Sequence, residues 1–141
     1  GTGATVQVAG FAKAVGLGTD WLDGKLAHMA RIKEYAKEKL ASIPDLQFVG
    51  DGTAPHVLAV SLVGWPSQNI VNDLGSQGIC ISAGSACHQG KPSHVVAALK
   101  LPKKVAGGVI RLSFGPETTQ ADIDACAQAL REHHDTRMPM L

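Results

Sequence analysis

The sequence has no run of like charge anywhere along its 141 residues, and 13 Lys+Arg against 12 Asp+Glu leave a formal net charge of +1. Proteins dedicated to nucleic acid or to a charged membrane surface need a concentrated basic patch, so neither a direct nucleic-acid partner nor a membrane partner is expected. Long hydrophobic runs are missing as well. The most apolar stretch, Val57 to Trp65, is interrupted by Ser61 and Gly64 and followed by Pro66, short of the roughly 18 residues of a membrane span. The first residues, Gly1-Thr2-Gly3-Ala4, have neither the charged start nor the apolar middle of a signal peptide, and no initiator Met. A piece of a longer polypeptide is expected. No CxxC pair occurs among the cysteines, which are Cys80, Cys87 and Cys126. An odd set without that spacing suits free thiols in a reducing compartment, hence a cytoplasmic location. The histidines show no ligand spacing, and the adjacent pair His133-His134 reads as part of a polar tail, so no metal site is expected.

What remains is globular composition, 45% hydrophobic and 18% charged, in a length that fits one domain over 1–141. Val6, Val8, Phe11, Ala12 and Val15 suit a short helix stopping at Gly16 and Gly18, with a hinge after it. From Asp20 to Ser42, Leu22, Leu26, Met29, Ala36 and Leu40 recur at helical steps while Lys33, Glu34, Lys37, Glu38 and Lys39 supply a polar face, which predicts a long amphipathic helix. Strands are predicted at Leu46 to Val49, His56 to Val63, Ile79 to Ile81 and Val109 to Phe114. Helices capped by Ser67, Ser93 and Thr119 fall between and after them, the last with Asp122 completing a capping box and Ile123, Cys126, Ala127 and Leu130 facing inward. The expected architecture is α/β (α+β): a small, mostly antiparallel sheet of three to four strands covered by helices on one side.

Two residues carry candidate chemistry. Cys87 sits among small residues between Gly84 and Gly90, on a loop joining a predicted strand to a predicted helix, where a thiol can be exposed and travel between two partners. The alternative is a small filler in a turn. Cys80, between Ile79 and Ile81, and Cys126, on the apolar stripe of the last helix, read as core residues. Arg111 interrupts an apolar strand on the face shared with Val109 and Ser113. Its planar fork suits a carboxylate if it is buried; equally, it can run from an edge strand to solvent.

The run Ser82-Ala83-Gly84-Ser85-Ala86-Cys87 resembles the active-site cysteine loop of NifS/IscS-type cysteine desulfurases, in the class-V aminotransferase group of fold-type-I pyridoxal-phosphate enzymes. Thr53 to Leu58, Pro92 to Val95, Ile110 to Gly115 with Thr118, Thr119 and Asp122 to Asp124, and Gly1-Thr2 with Gly10 to Ala14 resemble further family segments in the same order. The resemblance implies that the chain is the C-terminal small domain with its linking helices, and that the large domain bearing the cofactor lysine is absent. It implies removal of sulfur from L-cysteine as an enzyme persulfide with release of L-alanine. Pyridoxal phosphate is then the cofactor, a protein such as an iron–sulfur scaffold the sulfur acceptor, and a homodimer the full-length assembly. By the same resemblance Cys87 attacks the substrate sulfur, Arg111 holds the substrate carboxylate, and Thr2 reaches the cofactor phosphate of the neighbouring subunit. Gly3 and Ala4 stand where the family commonly has an acidic residue and Asn, and the stretch from Cys87 to Pro92 is shorter than in long-loop members. Two other readings are a class-V aminotransferase or lyase domain in which Cys87 is incidental, and a freestanding persulfide carrier or protein-binding module.

Overall fold

A computed structural model of the chain describes residues 3–50, 52–84 and 94–140. Four short strands, β1 (Leu46–Phe48), β2 (Val57–Leu62), β3 (Ser82–Ala83) and β4 (Val109–Ser113), form one antiparallel sheet in the order β1-β2-β4-β3. Alternation along the strands separates two faces. Leu58, Val60, Leu62, Ile110 and Leu112 lie on one of them and pack against Ile32, Ala36 and Leu40 of α2 (Leu22–Leu40), Ile70 and Leu74 of α3 (Ser67–Ser76), and Ile123, Cys126, Ala129 and Leu130 of α6 (Gln120–Thr136). The expected helix-covered antiparallel sheet is the one observed.

The other face is closed at one end only. The short helix α5 (Lys103–Gly107), which the hydrophobic pattern does not announce, accepts a hydrogen bond from Ser61 Oγ at the Val105 carbonyl, and Gly108 accepts one from Leu62 N at 3.1 Å. Gly108 has to be glycine for this approach. A Cβ there would run into the Leu62 carbonyl oxygen and stand 3.0 Å from Ser61 Oγ. A further short helix, α4 (His94–Ala98), contributes buried Val96.

Several local expectations change. Helix α1 (Thr5–Thr19) runs through Gly16 and Gly18, and the break comes at Trp21, whose φ of 66° lies in the left-handed region. Within this chain α1 buries nothing: Val6, Phe11 and Leu17 are exposed, as is Trp21 after it. Lys33, assigned to the polar face of α2, is buried, and its Nζ donates to the carbonyls of Gly52 (2.7 Å) and Ala54 (2.9 Å). The ammonium ties the loop before β2 to the helix, which is how a buried lysine becomes tolerable. Ser67 makes no cap hydrogen bond and is the first helical residue of α3, following Pro66. By contrast Thr119 and Asp122 form the full capping box, with Thr119 N donating to Asp122 Oδ2 at 2.9 Å and Asp122 N to Thr119 Oγ1 at 3.2 Å. Ser93 lies outside the described residues.

Candidate functional site

Arg111 stands at the middle of β4, an interior strand flanked by β2 and β3, so the edge-strand alternative does not hold. Register places Ala59 on one side of it and Ser82 on the other, both on its own face. Small neighbours leave room around the guanidinium. Arg111 is exposed rather than buried, because among the described residues no helix covers its half of the sheet face, and its side chain makes no hydrogen bond or ion pair among them. A free planar fork over a shallow floor of Ala59, Ser82 and Ser113 is suited to a carboxylate brought from outside the chain.

β3, whose Ser82 and Ala83 open the Ser-Ala-Gly-Ser-Ala-Cys run, lies beside Arg111 on the sheet. Gly84 N donates to the Val109 carbonyl at 2.9 Å, and a Cβ on Gly84 would stand 2.9 Å from Val109 Cγ1, so the glycine lets the two strands meet closely just where the chain leaves the sheet. Cys87 itself, and Thr2, lie outside the described residues.

Of the two cysteines expected in the core, Cys126 is there and Cys80 is not. Cys126 is buried, and burial pushes its thiol up to about 11. Cys80 is exposed. The third strand starts three residues later than the Ile-Cys-Ile pattern suggests, at Ser82, and this leaves Cys80 in the connection outside the sheet. Both thiols border a cavity of about 270 Å³ whose other walls include Phe114 and Ile123.

The residues Val57, Ala59, Ser61, Val109, Arg111, Ser113 and Ser82, which share the Arg111 face by strand register, include no lysine, aromatic ring or carboxylate. They do not fit a pyridoxal-phosphate site on their own, since nothing there can bond the aldehyde, stack on the ring or pair with its nitrogen.

A polar cluster at the end of α6 was missed by reading His133-His134 as a tail. Both histidines are helical, and His133 is buried with Nδ1 2.7 Å from Asp73 Oδ2. That hydrogen bond, helped by Arg137, holds the Asp73 carboxyl below the usual carboxylate range. The signal was present in the sequence: His133 continues the Ile123, Cys126, Leu130 stripe at helical spacing.

Comparison with known proteins bears on the whole chain. The aminotransferase class-V family model matches residues 1–126. A cysteine desulfurase of Trichormus azollae is 32% identical over 137 residues, covering 94% of this chain and 34% of the relative. A selenocysteine lyase of Homo sapiens is 31% identical over 142 residues, covering 94% of this chain and 32% of the relative. Among solved structures, a NifS-like protein from Rickettsia africae superposes with a TM-score of 0.81 at 25% identity, over 96% of this chain and 36% of that one. The chain thus spans about a third of the length of the relatives it matches.

Proposed function

The chain belongs to the aminotransferase class-V family, and from that premise we propose that it is the C-terminal small domain, with its linking helices, of a pyridoxal-phosphate-dependent cysteine desulfurase. The observation that carries the reading is Arg111, whose guanidinium is unpaired among the described residues and exposed on the sheet beside the strand that begins the Ser-Ala-Gly-Ser-Ala-Cys run. Helix α1 supports it from another side: an apolar helix that buries nothing within its own chain has a surface suited to further protein.

In this reading Arg111 donates two parallel N–H hydrogen bonds to the carboxylate of L-cysteine. Cys87 acts as the nucleophile. It follows Gly84 by three residues in sequence, and Gly84 comes directly after β3, the strand paired with β4. A new S–S bond to Cys87 forms as the bond between the substrate's carbon and sulfur breaks; the thiol becomes a persulfide and the substrate leaves as L-alanine, with the thiol protons accounting for the new methyl hydrogen. A thiolate suits the step because sulfur attack on sulfur needs a soft nucleophile. The cofactor would be held by protein outside this chain, with Thr2 reaching its phosphate across a homodimer, and a cytoplasmic acceptor such as an iron–sulfur scaffold would take the persulfide sulfur.

The test uses the full-length protein with L-cysteine and with L-selenocysteine, since relatives carrying both names match. Cys87→Ser should abolish persulfide formation while leaving cysteine binding intact. Arg111→Gln should raise KM by roughly tenfold or more, the loss of about one charge-assisted pair. Normal desulfuration by Cys87→Ser would overturn the reading in favour of an aminotransferase or lyase.

A further inference from the structure

The last turn of α6 and the segment after it are tied down by contacts that the proposed reaction does not use. His134 lies between two carboxylates. Its Nε2 is 2.9 Å from Oδ2 of Asp45, in the connection between α2 and β1, and its Nδ1 is 2.8 Å from Oδ1 of Asp135, on α6 itself. Its ring lies 4.6 Å from that of Trp65, between β2 and α3. Trp65 in turn donates from Nε1 to the Arg137 carbonyl at 3.0 Å, and Met140 N donates to the Gly64 carbonyl at 2.9 Å. Residues 137–140 therefore form a strap across the β2–α3 connection. The strap makes one wall of a cavity of about 510 Å³, whose other walls include Asn69, Asp73 and His133.

Carboxylate oxygens accept hydrogen bonds and cannot donate them while ionised, so an imidazole facing one at each nitrogen is satisfied at both only when both nitrogens carry protons. We infer that His134 is a proton-operated latch: as the imidazolium it fastens the end of α6 to Asp45 and Trp65 and holds the 137–140 strap against the cavity, and on losing a proton it releases the strap. A neutral ring can donate to one carboxylate only, and its other nitrogen then turns a lone pair on an anionic oxygen. The indole loses its cation in the same event.

The nearby charges are consistent with this arrangement. Asp135 and Asp45 both raise the His134 value from 6.5, against a smaller opposing effect of burial. The other titratable or charged side chains at this end of α6 have partners of their own: Arg131 donates to Ser42 Oγ, Glu132 accepts from Gln128, Arg137 lies 3.5 Å from Asp73, and the His133 ring faces Asp73. Because the folded value is raised, the latch contributes fully below the ordinary imidazole range, and the contribution is lost as pH rises through the folded value.

The test follows Trp65 emission in the 141-residue chain carrying Trp21→Phe, since these are the chain's two tryptophans. An adjacent imidazolium quenches indole, so emission should rise with pH through a midpoint above 6.5. Asp45→Asn should move that midpoint down, and His134→Gln should abolish the titration. Trypsin cleavage after Arg137, read by mass spectrometry, should quicken about two- to fivefold across the same midpoint, the range that partly exposed ion pairs confer. A midpoint at or below the ordinary imidazole value, a titration that survives His134→Gln, or cleavage that does not change across the midpoint would each overturn the latch.

Discussion

Gly108→Ala tests whether the half-closed sheet face is set by backbone contact. Gly108 ends α5 and lies against β2 with φ of −100°, a conformation alanine adopts freely, so any penalty must come from space rather than from the dihedral. An added Cβ would overlap the Leu62 carbonyl oxygen and sit 2.9 Å from the Leu62 carbonyl carbon. Neither atom belongs to a side chain that can rotate away. Relief requires moving α5 off β2, which lengthens the hydrogen bond from Leu62 N to the Gly108 carbonyl and disturbs the one from Ser61 Oγ to Val105. Overpacking of this kind costs about 1–3 kcal/mol. Weakening a hydrogen bond adds about 1 kcal/mol, while the reduced freedom of the unfolded chain returns about 0.4–1 kcal/mol. The expected net loss is about 2 kcal/mol, measured as a lower denaturant midpoint at unchanged slope. Gly10→Ala is the matched control. Nothing lies within 4 Å of a Cβ there, and the position is inside α1, so it should stabilise by about 0.5–1 kcal/mol. A Gly108→Ala chain within about 0.5 kcal/mol of the parent, a size ordinary at surface positions, would refute the steric argument.

Two further outcomes follow from the same coordinates. In the native chain Cys80 should be alkylated readily, and Cys126 should remain unlabelled until denaturant is added, because it is buried with its thiol raised to about 11; peptide mapping at short times reads the order. Stability should fall in acid as pH drops through the lowered value of Asp73, since a carboxylate held below 3.8 in the folded state stabilises the fold above the unfolded value and stops doing so once protonated. Asp73→Ala should remove that component and cost about 1–3 kcal/mol at neutral pH by leaving buried His133 without its partner, measured by urea unfolding at several pH values.

Much of the fold was written in local pattern. Period-two alternation at Val57–Leu62 and Val109–Ser113, helical spacing in α2 and α6, and the Thr119–Asp122 box need only neighbours in sequence, and each produces its element. The Ser82 to Cys87 run was legible too, as were the family segments around it, because their order along the chain is itself the information. What the pattern could not decide was exposure. Arg111 occupies an interior strand yet is exposed, since that depends on α5 covering Ser61 and stopping there. Lys33 looked like one more charge on a polar face until the loop at Gly52 and Ala54 folded over it and supplied two carbonyls. Cys80 looked internal between two isoleucines, but the β3–β4 ladder begins beyond it. His134 meets Asp45 only because α6 ends where α2 turns into β1, a contact 89 residues apart in sequence. Local hydrophobic spacing reports which side of an element is apolar; whether a given polar group is covered, and by what, is settled only when distant segments pack against it.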